Sequence, residues 1–316
     1  MKLAFIADPL SSFKIHKDST YAMMAEAARR GHELHVALQE GVIWKDGSVI
    51  GEHCPLALTG RKDRWYQTEP PRQSPLNEFD AVLMRKDPPF DAEYLTSTWL
   101  LELAQNQGAR VFNHPRALRD HSEKLAIAEF PQFAAPTVVT RLDSELQDFI
   151  DANGDVVLKP LEAMGGHSVF RVTDRDPNRN VIIETLTRFG AKSIMAQRYI
   201  PEIRDGDKRI LLIAGMPVPH CLARIPKPGE TRGNLAAGGT GVARPLSARD
   251  REIAETIGPR LAGRGLLLVG LDVIGDWLTE INVTSPTCFR EITDQTGFDV
   301  AAMFVDALES AVRAKG

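Results

Sequence analysis

Asp272, Glu280 and Asn282 lie in the stretch Gly270-Leu-Asp-Val-Ile-Gly-Asp-Trp-Leu-Thr-Glu-Ile-Asn-Val-Thr-Ser-Pro-Thr287, where they offer three hard oxygen donors among apolar neighbours. The stretch reads as two short strands joined at Gly275-Asp276. Residues two apart in a strand share a face, so Glu280 and Asn282 project together. A three-residue loop sets Asp272 directly opposite Glu280 on that face, whereas a two-residue turn sends it to the other one. Two carboxylates and an amide oxygen suit Mg²⁺ (or Mn²⁺), completed by water and nucleotide phosphates. The alternative is an exposed polar hairpin face.

Basic and glycine residues stand where a phosphate site needs them. Lys159 ends the apolar run Val156-Val-Leu-Lys-Pro160, an awkward place for a charge without an anionic partner. Five residues on, Met164-Gly165-Gly166-His167-Ser168 offers backbone N–H groups that can wrap phosphate oxygens. No P-loop sequence is present, and no Gly-x-Gly-x-x-Gly follows the first strand. Arg85 and Arg224 each end an apolar run, and guanidinium forks suit an acceptor bearing carboxylates.

These groups need elements to hold them. Residues 3–7 form an apolar strand, Asp18-Ser19 caps a helix that stops at Gly31, and 32–38 return as a strand. Residues 44–50 read as a hairpin turning at Asp46-Gly47. Strand 81–84, a helix capped by Asp91 and ended by Gly108, and strand 110–112 make a second βαβ unit. Such alternation implies a parallel sheet with ligands past the strands' carboxyl ends. After about residue 120 the pattern changes to strands 156–159 and 168–172, a helix near 181–188 and strand 193–197. Strands 209–214 and 218–223 then flank a Gly215-Met216-Pro217 turn, and Ser247 with Asp250 makes a capping box. One helix over 298–315 closes the chain.

The 316 residues allow roughly two domains, and 38 Lys+Arg against 42 Asp+Glu leave a net charge of -4. That balance argues against general nucleic-acid binding. Cys54, Cys221 and Cys288 are far apart, fit neither a zinc site nor a disulfide framework, and suit a reducing cytoplasm. No apolar run approaches membrane-spanning length, so the expected protein is soluble and cytoplasmic.

The set Ser122-Glu-Lys-Leu125, Leu158-Lys-Pro160, Met164-Gly-Gly-His-Ser168, Ala196-Gln-Arg-Tyr-Ile-Pro201, Asp205-Gly-Asp-Lys-Arg209 and Thr279-Glu-Ile-Asn282 resembles the ATP-grasp ligases. Within them the chain looks like the bacterial glutathione synthetases, through Met84-Arg-Lys-Asp-Pro-Pro-Phe-Asp91, Cys221-Leu-Ala-Arg-Ile-Pro226, Gly229-Glu-Thr-Arg-Gly-Asn-Leu-Ala-Ala-Gly-Gly239 and Glu280-Ile-Asn-Val-Thr-Ser-Pro-Thr-Cys288. His167, where a small residue is expected, and His16, where Lys is usual, depart from that pattern. The resemblance implies an α/β fold of the α+β ATP-grasp type. An N-terminal parallel-sheet domain (1–121) would precede a two-lobed ATP-grasp domain (122–316), with a glycine-loop lobe (122–200) and a metal lobe (201–316) carrying a lid at 225–241.

By the same resemblance, Lys124 and Lys159 would contact the α- and β-phosphates of ATP, and Gly165 and Gly166 the β- and γ-phosphates. Gln197, Tyr199 and Ile200 would bind adenine, with Asp207 close to the nucleotide. Arg209 would face the transferring phosphoryl group, and Asp272, Glu280 and Asn282 would hold the metal. Arg85 and Arg224 would receive an anionic acceptor, with Ser285 and Thr287 forming a glycine pocket. The implied reaction joins γ-glutamylcysteine and glycine through an acyl phosphate, in a homo-oligomer expected to be a tetramer. The rivals are a ligase for another acid and amine, and a non-catalytic ATP-binding interaction protein.

Overall fold

The computed structural model describes all residues except 163, 164, 231, 232, 234, 236, 237, 315 and 316. Arg232, placed in the lid, and Met164, placed in the glycine loop, therefore lie outside the described residues.

The N-terminal sheet is built from β1 (Lys2–Ile6), β2 (Glu33–Ala37), β3 (Val42–Lys45), β4 (Ser48–Leu58), β5 (Tyr66–Thr68), β6 (Arg72–Pro75), β7 (Ala81–Met84) and β8 (Val111–Phe112). Its order is β3-β4-β2-β1-β7-β8, with β5 and β6 paired to β4. The centre, β2-β1-β7-β8, is parallel, and its strands are apolar because both faces are covered. Beyond β2 the pairing is antiparallel, so the sheet is mixed rather than purely parallel. The Asp46-Gly47 hairpin starts that antiparallel extension, which the sequence pattern did not show continuing along β4. The helices are α1 (Ser19–Arg29), α2 (Ala92–Asn106) and α3 (Pro115–Arg119); the Asp18 and Asp91 carboxylates cap the first two by accepting from Tyr21 N and Tyr94 N.

The next lobe is a four-stranded antiparallel sheet in the order β11-β10-β12-β9: β9 (Thr137–Thr140), β10 (Asp155–Pro160), β11 (Phe170–Thr173) and β12 (Ile194–Arg198). It is backed by α4 (Asp143–Asn153) and α5 (Arg179–Thr187), of which α4 and β9 escaped the sequence reading. The last lobe holds β13 (Asp207–Ile213), β14 (Met216–Ile225), β15 (Thr240–Pro245), β16 (Leu268–Ile274) and β17 (Trp277–Asn282), ordered β15-β14-β13-β16-β17. Its helices are α6 (Ala248–Gly263), opened by the Ser247/Asp250 capping box, α7 (Phe289–Thr296) and α8 (Val300–Ala314). The closing helix expected over 298–315 is α8, which starts at Val300, while α7, ended by Gly297 in a left-handed conformation, went unread in the sequence. The turn expected at Gly215-Met216-Pro217 sits at Ala214-Gly215, with Met216 already in β14.

Packing joins these parts unevenly. One buried cluster runs from Ile6, Val82 and Met84 of the N-terminal sheet to Ile210, Val269 and Ile281 of the last lobe. A second runs from Leu3, Phe5 and Met23 to Phe289, Phe304 and Leu308. The middle lobe keeps its own core of Leu146, Ile150, Val156, Leu158, Val172, Ile183 and Ile194. It is therefore the part best able to move as a unit against the rest.

Candidate active site

Asp272 pairs directly with Glu280 across β16 and β17, and Asn282 pairs with Gly270. The turn nevertheless has two residues, since Ile274 pairs with Trp277 around Gly275-Asp276. The register shifts between Asp272 and Val273, so a β-bulge at Thr279 absorbs one residue and brings the carboxylates back to opposition. The bulge is held from both sides: Thr279 Oγ1 donates to the Asp272 carbonyl at 3.1 Å, and Lys159 Nζ donates to the Thr279 carbonyl at 3.4 Å.

The charged row continues across the sheet, because Arg209 on β13 opposes Asp272, and Asp207 opposes Arg224 on β14. Asp272 is buried, and its Oδ1 accepts from Arg209 Nε at 2.6 Å, while Oδ2 lies 3.0 Å from Arg224 Nη2. Burial alone would raise its pKa, but the two guanidiniums hold it far below the ordinary carboxylate range. Arg224 also donates to Asp207 Oδ2. Burial, reinforced by the charges of Asp272 and Glu280, lifts Asp207 to about 6, and its Oδ1 has no hydrogen-bond partner among the described residues.

Glu280 Oε1 stands 3.7 Å from both Lys124 Nζ and Lys159 Nζ, beyond hydrogen-bond length. Both lysines are buried, and burial pushes the Lys159 ammonium down against the pull of Glu280. Four cations, Lys124, Lys159, Arg209 and Arg224, thus meet three carboxylates, Asp207, Asp272 and Glu280.

Two cavities meet at this row. The first is lined by Lys159, Gly165, Gly166, Gln197, Tyr199, Ile200 and Asp207, and also by His167. Gln197 and Ile200 are buried, and the Arg171 guanidinium lies 3.7 Å over the Tyr199 ring while pairing with Asp155. The second is lined by Arg209, Arg224, Asn282, Ser285, Thr287 and Cys288, together with Asp87 and Glu123. Lys124, Gly165, Asp272 and Glu280 line both.

Arg85, expected among the groups that receive the acceptor, is one layer behind. It is buried, donating to Thr20 Oγ1 at 3.2 Å and to the Pro286 carbonyl at 3.0 Å, and so shapes the Ser285–Thr287 wall instead of lining it. Ser285 Oγ donates to the Asp87 carboxylate, and Thr287 Oγ1 is 3.8 Å from Cys288 Sγ. Burial raises the pKa of that thiol, as for a packed cysteine.

Sequence reasoning missed Glu123, Asp87 and Asn113. The Asn113 amide donates to the carbonyls of Leu268 and Val283, each at 2.8 Å, and accepts from Leu268 N, so the N-terminal domain clamps the start of β16 and the end of the β16–β17 hairpin. Glu123 and Asp87 sit inside motifs already noticed, Ser122–Leu125 and Met84–Asp91, and their place beside Lys124 and Lys86 was the available signal.

Comparison with known proteins places this arrangement. The fold is similar to that of a D-cycloserine synthetase (17% identity, TM-score 0.69, covering 99% of this chain and 100% of that one). It is also similar to an ATP-grasp ligase solved with its minimal precursor, Mg and ADP (17% identity, TM-score 0.61, 99% and 98% covered). The architecture is that of the ATP-grasp ligases. Within it, residues 1–119 match the N-terminal domain and 123–297 the ATP-grasp domain of prokaryotic glutathione synthetase. A glutathione synthetase of Nitrosomonas europaea is 62% identical over 318 residues, covering 100% of this chain and 99% of the relative. The chain belongs to the prokaryotic glutathione synthetase family, and is an ATP-dependent ligase.

Proposed function

We propose that this protein joins γ-glutamylcysteine to glycine, with ATP converted to ADP and phosphate. The observation that carries the reading is the meeting of two cavities along Lys124, Gly165, Asp272 and Glu280. One brings Lys124, Lys159 and the glycine loop together for a nucleotide, the other is lined by arginine and hydroxyl groups suited to a peptide acid, and a phosphoryl group can pass only where they join. Lys124 and Lys159 hold the α- and β-phosphates, and Gly165 and Gly166 cover the β- and γ-phosphates. Gln197, Tyr199 and Ile200 bind adenine, and Asp207 presents its free Oδ1 to the nucleotide. Arg209 and Arg224 steady the anionic groups that meet at Asp272, with Ser285 and Thr287 in the glycine pocket.

An all-oxygen donor set from Asp272, Glu280 and Asn282 fits Mg²⁺ or Mn²⁺. Asn282 spends its amide nitrogen on the Gly270 carbonyl at 3.3 Å, leaving its oxygen for the ion. When bound, the metal supplies charge neutralisation for the phosphates. Positioning and electrostatics do the remaining work. The cysteinyl carboxylate attacks the γ-phosphate, and the acyl phosphate is then taken by the glycine amine. Water must be kept out in between, and the segment 225–241 is the lid that does so. Its base is tightly fitted, since a Cβ on Gly233 would stand 2.3 Å from the Arg224 carbonyl.

The test is ADP release from MgATP with γ-glutamylcysteine, with and without glycine, while glutathione is followed by mass. Rapid ADP formation that needs both acceptors, with matching glutathione, supports the reading; no release under any condition removes it. A homotetramer in the cytoplasm completes the proposal, resting on the family resemblance and on three free thiols. Sedimentation equilibrium tests the assembly. Among the described residues no helix is long and apolar enough to cross a membrane.

A further inference from the structure

A ligase that joins an acid to an amine must admit a positively charged amino acid beside a site otherwise built for anions. The second cavity has four carboxylates on its walls: Asp87, Glu123, Asp272 and Glu280. Asp272 is held by Arg209 and Arg224, and Glu280 faces Lys124 and Lys159. Among the described residues, Glu123 and Asp87 form no ion pair.

Glu123 is fixed with care. Its backbone carbonyl accepts from Ile281 N at 2.8 Å, between the candidate metal ligands Glu280 and Asn282. Its Oε1 accepts from Val283 N at 2.9 Å, Thr284 N at 3.1 Å and Thr284 Oγ1 at 2.9 Å. Three donors on one oxygen lock the carboxylate plane, and Oε2 makes no hydrogen bond among the described residues. Asp87 is held by Ser285 Oγ and by its own N–H, which donates to Asp8 Oδ2 at 2.9 Å. The hydroxyl of the buried Tyr94 has no partner among the described residues, and Glu123 is the charge that bears on it most. Glu123 Oε2, on the cavity wall, is thus an acceptor that the N–H groups of a ligand would complete.

We propose that Glu123, with Asp87, receives the ammonium group of the amino acid that attacks the acyl phosphate. This rests on the ligase reading above. The ammonium of the γ-glutamyl group is the competing occupant, yet it lies at the far end of the peptide from its reacting carboxylate. Glu123 is tied to the residues flanking Asn282 and precedes Lys124, where the phosphoryl group passes. A carboxylate there holds the ammonium until it gives up one proton, to Glu123 or to the departing phosphate, and aims the free amine at the acyl carbon, where the C–N bond forms as the C–O bond to phosphate breaks and phosphate leaves.

The experiment compares wild type with Glu123→Gln and Asp87→Asn. The amide of Glu123→Gln keeps an acceptor for the three donors, removes the charge and turns the open Oε2 into an NH₂ donor that cannot receive an ammonium. We expect the KM for glycine to rise on the order of tenfold or more. The KM values for γ-glutamylcysteine and MgATP should stay within about twofold. Hydroxylamine, uncharged at neutral pH, should still trap the acyl phosphate as hydroxamate at the wild-type rate, since it needs no carboxylate partner. An unchanged glycine KM in both variants overturns the proposal, as does a rise confined to γ-glutamylcysteine. If Glu123→Gln fails to fold, Asp87→Asn, on an exposed side chain, carries the same comparison. A wild-type protein that makes no glutathione from these substrates sinks the ligase reading itself, and is told apart because it precedes any variant.

Discussion

Replacing Asp272 by Asn removes one negative charge from between two buried arginines, and the cost can be worked from the contacts. Arg209 Nε and Arg224 Nη2 stand 2.6 and 3.0 Å from its two oxygens, and all three side chains are buried. Unit charges about 4 Å apart attract by roughly 4 kcal/mol at an effective dielectric of about 20, so two such pairs oppose the several kcal/mol spent on desolvating each ion. Breaking a buried pair by removing one partner costs about 3–5 kcal/mol, a large share of the ~5–15 kcal/mol that holds a protein folded. Arg224 keeps Asp207, whereas Arg209 is left without a carboxylate. Thermal unfolding of Asp272→Asn should therefore fall by roughly 5–8 °C. The loss should persist at high salt, because screening acts on exposed charges. Adding Arg209→Gln should recover part of it, giving a coupling of about 1–3 kcal/mol in a double-mutant cycle. A variant melting within about 2 °C of wild type, or a cycle without coupling, would refute the idea that Asp272 is the counter-charge that lets two guanidiniums lie buried together.

Three further outcomes are expected. Gly233→Ala puts a Cβ against the Arg224 backbone carbonyl and should unseat the lid, so ADP release runs ahead of glutathione while the melting temperature barely moves; tight coupling in the variant would contradict the lid reading. Glu280→Gln should raise the Mg²⁺ concentration for half-maximal turnover by about tenfold or more, read from a metal titration. Acidification should weaken the N-terminal domain through His35 and His53, whose Nδ1 atoms share a 3.0 Å hydrogen bond. Burial lowers both pKa values below the unfolded value of about 6.5, so their stability is present above that pH and lost as pH falls below it. The denaturant midpoint of wild type relative to His53→Gln should drop between pH 7 and pH 5, and parallel curves would exclude the pair as the cause.

The legibility of the chain depended on whether a feature leaves a local mark. Asp18, Asp91 and the Ser247/Asp250 pair cap helices with their own side chains, and each marked its helix in the sequence. The Asp272, Glu280 and Asn282 cluster was legible as spacing. The bulge that sets Asp272 opposite Glu280 was not, because Thr279 looks like any strand residue and only the pairing partner reveals the extra one. Arg85 was read as a ligand-facing group, yet its depth is set by Thr20 and Pro286, far away in sequence. β9 and α4 went unread since their apolar residues are few and exposed positions dominate α4.

The shared cores have a consequence for how the chain is made. The first strand and helix pack through Leu3, Phe5 and Met23 onto Phe304, Val305 and Leu308, and Arg30 and His32 bind Asp306 and Glu309 of the final helix. During synthesis the N-terminal sheet emerges first, yet its covering arrives with the last residues. At ~5–20 residues per second the interval is on the order of 10–40 s. For that time the ribosome carries a sheet with one apolar side open, a natural substrate for a holding chaperone. The middle lobe, with its own core, can close behind it while the two ends wait for each other.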